Sequence, residues 1–200
     1  TNACKGLFSI NLERFSDLIT VIGFVLTKPA IRKILRNQDE YFKYLYSKYT
    51  LYFDYYVPEL KSASKLLPSE QEMLDAMIYV AHNYPKVYPV AELLQNKTNQ
   101  MTCYSLNKLT LLPDGKEVKC RYLVYEESDF ETTPIDYSTN EFIIESHLKR
   151  HDCFNCSWFE RCQFRCFVQA DWKDLERLED CMFRMFFEQM SQEGLLLNEQ

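Results

Sequence analysis

No apolar run in this sequence approaches the roughly 18 residues that a membrane-spanning helix needs, so none is expected. The opening residues lack the basic-then-apolar order of a secretory signal. Lysines and arginines form no dense stripe and the formal net charge is −6, so a phosphate backbone finds no electrostatic footprint. Neither nucleic acid nor a membrane is therefore an expected partner, and the cytoplasm is the expected compartment. The first hundred residues contain a single cysteine, Cys4, which reads as an ordinary buried thiol. The first residue is Thr1 rather than Met, which points to a processed chain or to a piece of a longer one.

Hydrophobic residues make up 46% of the 200 positions, enough for a real core and for one or two small domains. Seven of the eight cysteines lie beyond position 100. Cys153, Cys156, Cys162 and Cys166 follow one another as C-x2-C-x5-C-x3-C. Two cysteines separated by two residues can turn both sulfurs toward one centre. Two more nearby complete a metal-ligand set that disulfide frameworks rarely pack so tightly. Upstream, Cys103, Gly115 and Cys120 form C-x11-G-x4-C, and downstream stands Cys181. Disulfides in an exported protein are the competing reading, and the spacing together with the missing export signal argues against them.

The whole pattern resembles the seven-cysteine signature of the SPASM domain, the C-terminal extension of many radical S-adenosylmethionine (SAM) enzymes that modify peptides and proteins. It covers roughly the last hundred residues. The resemblance implies two auxiliary [4Fe–4S] clusters with interleaved ligands. Cys103, Cys120 and Cys166 belong to the first, and Cys153, Cys156, Cys162 and Cys181 to the second. The second is then fully ligated, while the first has three protein ligands. Glu92 is a candidate for its fourth, or an iron stays open to substrate. Thiolates suit this role because soft sulfur donors stabilise iron in both oxidation states. Zinc is the bland alternative, since Cys4-type zinc sites have similar local spacing and make rigid interaction modules. A stand-alone iron–sulfur electron carrier is the other.

Along the chain, residues 7–18 have the apolar spacing of a helix with one oily side. Residues 19–26 are a near-continuous apolar run, as for a strand covered on both faces of a parallel sheet. A helix is expected over 30–45 behind Pro29 and a second strand over 49–57. A third helix over 70–82 opens with a capping box of Ser69 and Glu72 and turns Met73, Leu74, Met77, Ile78 and Ala81 inward. This order is α/β, with parallel strands and helical crossovers. Residues 106–112 and 117–124 read as a β-hairpin around Pro113, Asp114 and Gly115, which brings Cys103 and Cys120 together. Residues 125–140 read as an acidic surface loop, and 141–150 and 172–192 as helices, the latter carrying Cys181. Aromatics from Tyr41 to Tyr56 pack the wall, with Asp54 or Tyr56 able to reach a substrate. His82, His147 and His151 read as solvated side chains without an orienting partner.

The resemblance implies that residues 1–97 are the last βα units of a partial TIM barrel of six units. Residues 98–190 are then a small α+β SPASM domain and 191–200 a tail. It also implies a peptide or protein substrate and an electron donor such as ferredoxin or flavodoxin. The SAM-cleaving motif C-x3-C-x2-C is absent. Cys162 and Cys166 supply C-x3-C, but position 169 is Gln169. The expected role is that of the C-terminal region of a peptide or protein maturase, charged with electron transfer and substrate placement. SAM and its own [4Fe–4S] cluster then bind to sequence outside these residues. Crosslinking, oxidation and epimerisation all occur in the family, and nothing in these residues selects among them.

Overall fold

Two short strands run side by side in one direction. β1 (Ile22–Leu26) pairs with β2 (Leu51–Tyr55), with Ile22 opposite Leu51 and Leu26 opposite Tyr55. Parallel neighbours require a crossover, and two helices provide it, α1 (Lys28–Leu35) and α2 (Glu40–Lys48). In this computed structural model the described residues are 14, 16–19, 21–58, 61–95, 110–111, 113–115, 117–118, 148–162, 167–170 and 172–196.

The sequence predicts one helix over 30–45, and the structure breaks it into two. Asn37 takes a left-handed φ of 55°, and Asp39 caps α2 by accepting the Phe42 N–H at 2.9 Å. Asn tolerates the first conformation and Asp favours the second role, so the break is written in local chemistry. A second correction concerns β1, which is covered on one face only. Leu26 is buried and Ile22 and Phe24 pack against the core, whereas Gly23 and Val25 are exposed. On β2, which is shorter than the predicted 49–57, Leu51 and Phe53 are buried and Tyr52 and Asp54 exposed. The register places Val25 opposite Asp54, so the exposed side chains share one face. On its other edge β2 receives one parallel bridge from Tyr88. The Tyr88 N–H donates to Leu51 O at 2.9 Å, and Tyr88 O accepts the Phe53 N–H at 2.7 Å.

The capping box is present in both halves. Ser69 Oγ accepts the Glu72 N–H at 3.1 Å, and Glu72 Oε2 accepts the Ser69 N–H at 3.0 Å, starting α3 (Glu70–Asn83). Met73, Leu74, Met77 and Ala81 are buried as expected, joined by Ala76 and Val80, while Ile78 packs at the margin of the core. α3 lies against α1, against α4 (Val90–Gln95) and against α6 (Met182–Gln192). One core runs from Phe42 and Phe53 through Val80 and Leu93 to Trp172, Phe186 and Met190. Each of these large side chains contributes roughly 1.5–3 kcal/mol by leaving water, so α6 is fastened to the βαβ unit by burial.

Around the predicted hairpin turn, β3 (Thr110–Leu111) pairs antiparallel with β4 (Glu117–Val118), and Gly115 supplies the left-handed φ of 84°. The remainder of that hairpin, the loop 125–140 and residues 141–147 lie outside the described residues, as do residues 7–13. Of the predicted first helix, Ser16–Leu18 is a single 3-10 turn with Leu18 exposed. A short helix, α5 (Phe167–Ala170), precedes the last correction: the helix predicted over 172–192 begins only at Met182. Trp172 and Leu175 are sunk in the core, and the Leu178 N–H is taken by the Glu70 carboxylate at 2.8 Å, so this stretch spends its donors outside a helix. Among the described residues no helix is long and apolar enough to cross a membrane.

Candidate metal centre

Residues 148–150 are helical, and 151–162 wind through consecutive tight turns. Asp152, at a left-handed φ of 51°, leads into the 3-10 turn Cys153–Asn155, and its carboxylate accepts from Asn155 Nδ2 at 2.6 Å. The Cys156 N–H donates to Cys153 O at 3.0 Å. This bond doubles the C-x2-C segment back on itself, and both residues line one cavity. The Phe159 N–H then bonds Cys156 O at 3.1 Å and the Cys162 N–H bonds Trp158 O at 2.8 Å, winding Cys162 round to the same cavity. Cys181 reaches it from the N-terminus of α6.

The cavity has a volume of about 80 Å³ and gathers four thiols from three turns and a helix end. Cys153, Cys156 and Cys162 are half-buried, Cys181 is exposed, and no disulfide joins them. Trp158 stacks on Phe187 with centroids 5.4 Å apart, giving the cavity an apolar wall. Arg161, between Cys156 and Cys162, fastens the loop to the rest of the fold. Its Nε donates to Leu93 O at 3.0 Å and its Nη2 to Leu94 O at 2.8 Å. These are carbonyls of the last turn of α4, where a cation offsets the negative end of the helix.

Cys181 is the N-cap of α6 and makes no side-chain capping bond, so the thiol stands beside the positive end of the helix. The sequence places it inside a helix, and the structure corrects that to the helix start. Arg184, three residues on, also lines the cavity. Its guanidinium bonds Asp180 and lies 3.9 Å from Glu188. The hydrogen bond and charge of Asp180 hold Arg184 above the ordinary arginine range, with lesser help from Glu188 and Cys156 against slight desolvation.

Of the seven cysteines assigned as ligands, the structure brings together Cys153, Cys156, Cys162 and Cys181. Cys103, Cys120 and Cys166 lie outside the described residues, as do Cys4 and His147. Glu92 is half-buried on α4. His151 departs from its predicted solvated position: it is half-buried and lines the cavity. His82 has a partner after all, Glu193 at 2.9 Å, supplied by the far end of α6 where no local offset reveals it. Asp54 is exposed on the open sheet face, and the Tyr56 hydroxyl donates to Ala63 O at 3.2 Å. Gln169 is buried and donates from Nε2 to Tyr56 O at 2.9 Å, a tie between segments.

Sequence reasoning missed Arg184, Trp158 and Phe187 as parts of this site. Arg184 had a signal, because a side chain at the third helical position reaches back to its N-cap. Trp158 and Phe187 were not singled out, and their stacking across 29 positions leaves no local trace.

The chain matches no protein-family model, no curated protein and no solved structure.

The donor set itself is the test of fit. Four cysteines line the cavity, with Asp152 and His151 also on its wall, and four thiols suit one [4Fe–4S] cubane in number and softness. Among the described residues no three of His, Cys, Asp or Glu are grouped closely enough to hold a metal ion.

Proposed function

We propose that this chain is the C-terminal region of a radical SAM peptide or protein maturase. In this reading Cys153, Cys156, Cys162 and Cys181 hold one auxiliary [4Fe–4S] cluster, and Cys103, Cys120 and Cys166 hold another. The observation that carries it is that Cys153, Cys156, Cys162 and Cys181, which the family resemblance assigns to one cluster, all line one cavity. When bound, such a cluster passes single electrons.

The chain's own residues supply the surroundings. Arg161 pins the cysteine loop to α4, Trp158 and Phe187 give the cavity a water-excluding wall, and Cys181 brings in the positive end of α6. The βα part of the reading is supported by two parallel strands and a parallel bridge at Tyr88, covered on one face. SAM cleavage belongs to a C-x3-C-x2-C cluster that this chain lacks, and the substrate is a peptide or protein.

Anaerobically prepared full-length chain, loaded with ferrous iron and sulfide, tests the reading. It should turn brown, absorb near 400 nm and retain iron and acid-labile sulfide in equal amounts. Colourless protein that takes up stoichiometric zinc and refuses iron would leave the zinc-stabilised interaction module in its place.

A further inference from the structure

Arg184 has no part in ligation, yet it borders the same cavity as the four thiols. It sits in the first turn of α6, three residues after the N-cap Cys181, so the helix geometry holds its side chain beside the cap. Its position is fixed from both sides along the helix. Asp180 bonds it four residues before, and Glu188 lies 3.9 Å away four residues after. Its charge reaches Cys156, which also lines the cavity. The same end of α6 presents first-turn N–H groups that have no partner within the helix. The cavity is therefore edged by the Arg184 guanidinium, paired with Asp180 and near Glu188, by the positive end of α6 and by the Asp152 carboxylate, next to the four cysteine sulfurs.

We propose that Arg184 sets the reduction potential of the centre held by Cys153, Cys156, Cys162 and Cys181, favouring its reduced state. This rests on the reading of those four cysteines as a cluster site. The physical reason is that each added electron makes a thiolate-bound centre more negative, and a fixed cation stabilises the more negative state more. Asp180 works against it, because its carboxylate both restrains the guanidinium and adds negative charge at the rim. The two residues therefore predict shifts of opposite sign, which a general loosening of the fold does not produce.

The experiment is a dithionite titration of the iron-loaded full chain, followed by electron paramagnetic resonance. The signal of this centre is identified as the one lost in Cys156→Ala. In Arg184→Gln the ratio of reduced to oxidised centre at a fixed potential should fall on the order of tenfold, equivalent to about 59 mV for a one-electron couple. Arg184→Lys should keep most of the wild-type ratio, and Asp180→Asn should raise it. Equal midpoints in wild type, Arg184→Gln and Asp180→Asn overturn the proposal while leaving the cluster reading intact. If Arg184→Gln fails to hold iron, Asp180→Asn decides alone: a raised midpoint supports the proposal and an unchanged one overturns it. Wild-type chain with no signal lost in Cys156→Ala overturns the cluster reading and the proposal with it.

Discussion

Glu70 and Leu178 are tied across 108 positions of sequence: the Glu70 Oε2 accepts the Leu178 N–H at 2.8 Å. The Glu70 N–H in turn donates to Glu176 O at 2.9 Å. Together these bonds hold the segment that feeds Cys181 against the first turn of α3. Glu70 is only 3% exposed, and Arg177 stands within range of its charge. A buried carboxylate is tolerated here because a backbone donor and a cation both face it.

Glu70→Ala leaves the Leu178 N–H without its acceptor and removes the charge that Arg177 faces. Loss of a charge-assisted buried bond costs about 1–3 kcal/mol. The urea midpoint should drop accordingly, and Glu70→Gln, which keeps an acceptor oxygen, should lose less. Equal stability of wild type and Glu70→Ala would show that the segment is held by its apolar residues alone.

Glu72 joins α3 to α1 through Arg32 at 2.9 Å and Lys28 at 3.5 Å. Burial pushes its carboxyl up, but the Ser69 N–H, the Arg32 hydrogen bond and the charges of Lys28 and Arg32 outweigh that and hold it below the usual carboxylate range. A folded-state value below the unfolded one means that the stabilisation is complete above the ordinary Glu value of about 4.3. It is lost as pH falls through the folded value. The wild-type melting temperature should therefore fall more steeply than that of Glu72→Gln as pH drops from about 5 to 3. Parallel curves would mean that Glu72 titrates alike in the folded and unfolded chain.

What could be read in advance was local. The capping box at Ser69 and Glu72 and the inward set Met73, Leu74, Met77 and Ala81 follow from helical spacing alone, and both are present. The parallel pairing of β1 with β2 follows from helices between short apolar runs. The Asn37 to Asp39 break was equally local, but apolar periodicity on either side hid it. Coverage of β1 was misjudged because a β-branched run does not say how many layers lie over it, and Val25 proves exposed. The start of α6 was misjudged because Leu175 and Leu178 fit a helical pattern while their surroundings drew the chain out of one. Grouping Cys153, Cys156, Cys162 and Cys181 rested on the family resemblance alone, and all four line one cavity. The Arg161 tether to Leu93 and Leu94 depends on tertiary distance, which spacing does not encode.

The interleaved ligation proposed above makes a sharp prediction for cysteine variants. Cys156→Ala and Cys181→Ala should each remove one cluster, about four irons of eight, and leave the same remaining signal. Cys103→Ala should remove the complementary one. Two zinc ions on the same ligands would instead lose one metal per variant without any change near 400 nm. If Cys156→Ala and Cys181→Ala leave different residual spectra, the two cysteines do not share a centre.

Trp158 offers an optical test of the cavity itself. The chain has two tryptophans. Trp158 lines the cavity against Phe187, whereas Trp172 is 1% exposed within the core. An iron–sulfur centre absorbs broadly where indole emits, so loading should dim Trp158 strongly, and its stacking on Phe187 holds the ring at the cavity wall rather than letting it swing away. Loading wild-type chain with iron and sulfide should therefore quench emission, and most of that change should vanish in Trp158→Phe. Zinc does not absorb in this range and should leave the emission nearly unquenched. The comparison is made in a Cys103→Ala background, which removes the other proposed centre; full quenching of Trp158→Phe there would place the absorbing centre away from the cavity of Cys153, Cys156, Cys162 and Cys181, because only Trp172 would remain to report it.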